Sequence, residues 1–209
     1  ASVGELHPSV AVVTNNIGLI NYRLGDYEGA ETFFMEALEM NRRIYGETHT
    51  ETARTMQNLA TTRSHKGDFD GAEEMYRQAL QVQIDLAGPR HRDVGQAKLS
   101  MGSHSMNHGR FDTAEERLRD AESILVESVG EEHPYVHVAR KVLGWSLLEQ
   151  RRYGEAEPLL AAEVDWFTRE FGTDHAQTTE AVGYLARLYE ETGRAEKAMA
   201  LEGRQGTDD

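Results

Sequence analysis

Apolar residues at Val10, Val13, Ile17, Ile20 and Leu24 recur at intervals of three and four, the spacing that gathers side chains on one face of an α-helix. A second run follows at Tyr27, Ala30, Phe34 and Leu38 and reaches less regularly to Ile44. Between the runs stands Gly25-Asp26, and a glycine followed by a polar residue ends a helix and turns the chain. The pattern predicts a helix A over about residues 8–24 and an antiparallel helix B over about residues 27–45.

The same pattern restarts four times. Gly4, Gly46, Gly88, Gly130 and Gly172 lie 42 residues apart, and each is followed three residues later by a histidine: His7, His49, His91, His133 and His175. The turn recurs as Gly25-Asp26-Tyr27, Gly67-Asp68-Phe69, Gly109-Arg110-Phe111, Arg151-Arg152-Tyr153 and Gly193-Arg194-Ala195. Small residues mark the close approaches between helices, with Gly18, Ala60, Gly102, Gly144 and Ala186 in the A helices. Ala30, Ala72, Ala114, Ala156 and Ala198 do so in the B helices. The chain therefore divides into units 7–48, 49–90, 91–132, 133–174 and 175–203, followed by a polar tail at 204–209. One hairpin buries too few apolar side chains to offset the entropy of ordering it, so stability must come from stacking on neighbours.

A large apolar residue followed by a small one in helix A, an aromatic or glycine near the turn, and alanines in helix B resemble the tetratricopeptide repeat. The 42-residue period is similar to the kinesin light chain type of that repeat, with Asn15-Asn16 ahead of the apolar–small pair. Gly25-Asp26-Tyr27-Glu28 with Ala30-Glu31 at the turn, and Gly130 with His133-Pro134 between units, carry the same likeness. The resemblance covers nearly the whole chain and implies an all-α fold, a right-handed α-solenoid superhelix of about five helix-turn-helix units. It also implies a concave groove lined by the A helices that holds partner segments. Bacterial regulatory proteins use the same long repeat, often behind Ser/Thr kinase domains, and the segment from Arg151 to Leu160 has that character. Ser2-Val3-Gly4-Glu5 repeats Ser128-Val129-Gly130-Glu131, the end of a B helix. The expectation is a chain that continues something longer, as the C-terminal array of a larger signalling protein would.

Composition narrows the function. With 28% charged and 39% hydrophobic residues, the chain suits an ordinary folded domain. No apolar run approaches the ~20 residues of a membrane helix and no leader pattern is present, so a cytoplasmic site is the default expectation. A net charge of −14, from 22 basic and 36 acidic residues, argues against nucleic acid or an anionic membrane as partner. The absence of cysteine removes disulfides, thiolate metal sites and a cysteine nucleophile.

Three features invite a chemical reading. Histidines repeated every 42 residues cannot converge on one ion, because stacked helices are ~10 Å apart and metal bonds are ~2 Å long. Their expected role is structural, with His7-Pro8 and His133-Pro134 opening helix A, and Thr48 and Asp174 as alternative N-caps. His104 and His108 share a helix face at the spacing of two zinc ligands, without the acidic residue of a metalloprotease motif between them. Packing or exposure is the expected reading. Acidic pairs such as Glu73-Glu74 and Glu115-Glu116 recur at equal repeat positions and read as a solvated outer face. No catalytic residue, metal or cofactor is expected.

Function must then come from the groove. In tetratricopeptide proteins the groove-lining positions of helix A can be counted from the first apolar core residue, here Ile17, Leu59, Met101, Leu143 and Leu185. The resemblance assigns the groove Asn15, Asn16 and Arg23 in the first unit and Arg54, Gln57, Asn58 and His65 in the second. Lys141 and Trp145 follow in the fourth, and Tyr184 in the fifth. In kinesin light chains paired asparagines hold cargo peptides, which the resemblance implies here for the first two units only. Amides can donate to and accept from a peptide backbone, and arginine grips carboxylates bidentately. The expected partner is a protein or peptide segment with acidic residues near Arg23 and Arg54 and an apolar side chain against Trp145 and Tyr184. The alternative is an oligomerisation or regulatory module in which one end of the array packs against another copy.

Overall fold

The computed structural model describes residues 6–203; the helix end expected at residues 2–5 and the polar tail at 204–209 lie outside the described residues. Ten helices follow one another: α1 (Pro8–Arg23), α2 (Tyr27–Tyr45), α3 (Thr50–His65), α4 (Phe69–Ala87), α5 (Arg92–Asn107), α6 (Phe111–Val129), α7 (Pro134–Glu149), α8 (Tyr153–Phe171), α9 (Ala176–Glu191) and α10 (Ala195–Glu202). The odd-numbered helices are the A helices and the even-numbered ones the B helices. They form five antiparallel hairpins, each packed on the next through its B helix, while successive A helices touch along one side. This is an all-α solenoid.

Each hairpin turn is closed in the same way. Gly25 N–H donates to Tyr22 O and Asp26 N–H to Asn21 O, a pair of bonds that ends a helix through a left-handed residue. Gly25, Gly67, Gly109 and Gly193 supply that residue with φ of 80°, 88°, 67° and 74°, and Arg151 adopts it at 57° without being glycine. The B helices end on Gly46, Gly88, Gly130 and Gly172, also at positive φ.

The recurring histidines are the N-caps themselves. Nδ1 of His7, His49, His91, His133 and His175 accepts the backbone N–H two residues on, at 3.1–3.3 Å. Thr48 and Asp174 are not caps: the cap position falls one residue later, on His49 and His175. An imidazole nitrogen two bonds from Cβ reaches the second helical amide as an asparagine oxygen would.

The matched small residues pack as their spacing predicts. The five B-helix alanines are at most 2% exposed, and Gly18, Gly102 and Gly144 touch Phe34, Leu118 and Leu160 so closely that a Cβ would stand 2.7 Å from the opposing side chain. Between hairpins a polar latch repeats, its carboxylate at one register. Glu31 accepts from Arg63 and Lys66, Glu73 from Arg117, Glu115 from Arg152, and Glu157 from Arg194. The fork of Arg117 holds the Glu73 carboxyl below its ordinary range, and the Lys66 ammonium does the same for Glu31.

The first hairpin departs from the others. Val13, Ile17, Ile20 and Leu24 are 56%, 37%, 58% and 77% exposed, although their spacing is that of core residues. In later units the corresponding residues lie beneath the preceding B helix, and no B helix precedes α1 among the described residues.

Candidate functional site

The A helices carry the polar residues expected along the concave side, and α1, α3 and α5 enclose a cleft of about 360 Å³. Its walls include Asn15, Asn16, Arg54, Gln57 and Asn58, with Gln96, Leu99 and Ser100 from α5 and Tyr135 from the start of α7. Asn16 and Arg54 are exposed. Arg54 pairs with Glu51 on its own helix, so it presents a half-neutralised cation to the cleft rather than a bare one.

The amides are organised from unit to unit. Asn58 Nδ2 donates to Asn15 Oδ1 at 3.1 Å, Gln57 Nε2 donates to Ser100 Oγ at 3.3 Å, and Gln83 Nε2 donates to Gln57 Oε1 at 3.3 Å. Asn15 is 5% exposed. Its oxygen is engaged within the protein, so Asn15 fixes the position of Asn58 more than it offers a contact of its own.

Four of the remaining candidates fall into two separate groups. Arg23 and His65 are exposed at the C-terminal ends of α1 and α3, outside the cleft. The His65 ring packs against Tyr22 and Tyr27 at centroid distances of 5.3 and 5.2 Å, and burial pushes the Tyr22 hydroxyl up to about 12. At the other end, Trp145 stacks on Tyr184 with centroids 5.0 Å apart and planes 7° from parallel. Trp145 Nε1 donates to Glu149 at 2.8 Å, and Arg187 binds the same carboxylate. Both aromatic side chains are half-buried.

Lys141 is 2% exposed, and its ammonium donates to Gln177 Oε1 and Glu180 Oε2. Burial draws its pKa down while Glu180 opposes the shift. Its charge is spent within the array, pairing α7 with α9. Tyr135 is the cleft residue that the repeat count misses, because it precedes the counted positions. A tyrosine directly after Pro134, in the first turn of a helix A, was the available signal; it is 41% exposed.

The His104 and His108 pair is committed to packing. His104 Nδ1 lies 2.7 Å from Ser64 Oγ and its Nε2 3.6 Å from Glu73, while the His108 ring sits against Phe69. Burial lowers the pKa of both rings, which leaves them uncharged between α3, α4 and α5. No group of three or more His, Asp or Glu side chains arranged to hold a metal occurs among the described residues.

Five stacked helical hairpins with a polar inner face define a helical-repeat solenoid. Two tetratricopeptide repeat models match the sequence, over residues 9–85 and 141–205, and the chain belongs to the tetratricopeptide repeat family. Its fold is similar to that of BtubC (BKLC) from P. vanneervenii, at 19% identity and a TM-score of 0.76, covering 94% of this chain and 78% of that one. It is similar too to a putative kinesin light chain from P. anserina with nearly identical TPR-like repeats, at 18% identity and a TM-score of 0.72, covering 95% and 94%. A third likeness is to the Rap conjugation gene regulator of plasmid pLS20 in complex with the Phr* peptide, at 16% identity and a TM-score of 0.76, covering 92% of this chain and 51% of that one. No curated protein matches at the sequence level. No helix among the described residues is long and apolar enough to cross a membrane.

Proposed function

We propose that the chain is a protein-interaction scaffold that holds an extended peptide segment along the concave face of α1, α3 and α5. The observation that carries this reading is the cleft in which Asn16, Arg54, Gln57 and Asn58 line one continuous wall with Tyr135 beyond them. The exposed amide of Asn16 can satisfy peptide backbone groups whatever the side chains, Gln57 and Asn58 are partly exposed beside it, and Arg54 favours a carboxylate over a cation. Arg23 and His65 extend the basic rim, and the Trp145–Tyr184 stack provides an apolar platform further along the A helices. Asn15 and Lys141 act as positioning residues within this site. The Rap regulator bound to its Phr* peptide supports a peptide as the kind of ligand such a solenoid takes. The cytoplasmic setting and the place within a larger regulatory protein belong to the same proposal.

The test is fluorescence polarisation with labelled twelve-residue peptides that vary in charge, against the parent chain and Asn16→Ala, Arg54→Ala and Trp145→Ala. Tight binding of acidic peptides, weakened about tenfold or more by Arg54→Ala, is expected. Equal affinity for acidic and basic peptides, or affinity unmoved by all three substitutions, overturns the proposal.

A further inference from the structure

Behind the cleft, one core position of the repeat carries an amide where later units carry hydrocarbon. Asn41 on α2 and Gln83 on α4 stand 42 residues apart, and the same position holds Leu125 on α6 and Phe167 on α8. All four side chains are buried, none more than 5% exposed. Burying a polar group costs stability unless its hydrogen bonds are made, so an amide at this position needs a reason that the leucine and phenylalanine do not.

The hydrogen bonds of both amides run toward the cleft. Asn41 Nδ2 donates to Thr55 Oγ1 at 3.0 Å, Thr55 Oγ1 donates to Asn15 Oδ1 at 3.5 Å, and Asn58 Nδ2 donates to the same Asn15 oxygen at 3.1 Å. Gln83 Nε2 donates to Gln57 Oε1, and Gln57 Nε2 to Ser100 Oγ, each at 3.3 Å. Asn15, Gln57, Asn58 and Ser100 all line the cleft. The second chain of bonds is incomplete at its buried end. Gln83 Oε1 has no partner among the described residues, a loss that an apolar side chain would avoid. Shape does not call for glutamine either. A Cβ at Gly95 would stand 2.8 Å from the branch carbon of Leu125, and Gln83 has Ala53 in that register. A branched side chain would therefore crowd α3, but an unbranched methionine would follow the path of the glutamine.

We infer that Asn41 and Gln83 are positioning residues of the cleft, holding its amides from behind in one orientation for the backbone of an extended peptide. A lining fixed by a supporting layer of hydrogen bonds loses less side-chain freedom when a ligand arrives. The support also decides which end of an amide faces out. Asn58 turns Nδ2 inward to Asn15, which leaves Oδ1 as an acceptor for a peptide N–H. The buried amides lie in α2 and α4, the B helices that connect the three A helices of the cleft, and the position turns apolar in α6 and α8. This inference rests on the peptide-scaffold reading of the cleft, so its test includes a readout that needs no ligand.

The test is Gln83→Met, alone and combined with Gln57→Ala. The single variant should melt at or above the parent, while NMR relaxation shows the Gln57 side-chain amide becoming more mobile. Fluorescence polarisation should show affinity for acidic twelve-residue peptides falling about fivefold, the net worth of about one hydrogen bond. In the Gln57→Ala background the same change should have no further effect, because residues that act through one another are not additive. An unaltered Gln57 amide overturns the inference, as does a loss of affinity that adds in full to that of Gln57→Ala, or a melting temperature lowered by more than about 5 °C. A parent that binds none of the peptides overturns the scaffold reading instead, and the mobility of the Gln57 amide then decides this inference alone.

Discussion

Nδ1 of His137 lies 2.8 Å from Oε2 of Glu163, and both side chains are buried between α7 and α8. The first three units place small residues at these two positions: Ala11, Ala53 and Gly95 on the A helices, and Ala37, Ala79 and Ala121 on the B helices. The fourth unit thus replaces a close helix–helix approach with a hydrogen-bonded polar pair. The Trp166 ring stacks on the imidazole at a centroid distance of 3.7 Å.

Burial pushes Glu163 up to about 8 and His137 down to about 4, so the pair is uncharged near neutral pH. The raised carboxyl contributes stability that is complete below its unfolded pKa and lost as pH rises to about 8. The lowered imidazole contributes stability that is complete above its unfolded pKa and lost as pH falls to about 4. Between the unfolded values of about 4.3 and 6.5 the two slopes cancel. Above about 6.5 only the carboxyl slope remains, and stability should fall by about 1–2 kcal/mol on reaching pH 8. Thermal unfolding at pH 6.5 and 8 should show this fall in the parent chain and little of it in Glu163→Gln.

Capping by histidine is testable by shape. His91→Asn keeps an acceptor within reach of the Asp93 amide, whereas His91→Leu removes it. The leucine variant should lose about 0.5–2 kcal/mol in urea unfolding, with the asparagine variant close to the parent.

The glycines of helix A separate two effects that usually mix. A methyl at Gly144 would stand 2.7 Å from Leu160 Cδ2, whereas one at Gly183 would meet nothing within 4 Å. Overpacking costs about 1–3 kcal/mol and the gain in helix propensity offsets about 1. Gly144→Ala should therefore lower the melting temperature and Gly183→Ala should raise it by a few degrees. Equal shifts of one sign would contradict the packing described.

The latch between the second and third hairpins should be worth more than a surface ion pair. Arg117 grips both oxygens of Glu73 at 2.6 and 3.0 Å and also donates to Met101 O and Ser105 Oγ. Glu73→Ala leaves that fork half-buried with one set of partners gone, at a cost of about 1–3 kcal/mol. Because the Glu73 carboxyl is held low, its contribution persists above about pH 4 and disappears as pH falls further. Equal acid sensitivity in parent and variant would show that the latch contributes nothing.

The helices were legible because their causes are local. A 3.6-residue period and a turn glycine fix where a helix runs and stops, and α1 and α2 lie within a residue of the predicted limits. The small residues were legible for a similar reason, since ten matched positions leave one explanation, close approach. The cap was not: whether His49 or Thr48 bonds the first turn depends on side-chain reach, which spacing does not encode. Nor was the fate of Lys141, which depends on Glu180 arriving from the next hairpin 39 residues later. The exposure of Ile20 was hidden because an apolar stripe reads the same whether or not something covers it. In the cleft, counting reached Asn16 and Arg54 but passed over Tyr135, and it gave no sign that Asn15 faces inward.

Every junction between hairpins uses the same carboxylate position, 42 residues from the last. A duplication or deletion of one whole period in the gene would leave the acid of each new junction at the position it holds in every existing one. The array can thus lengthen or shorten in evolution by single recombination events, and the span of partner it embraces would change by one step each time.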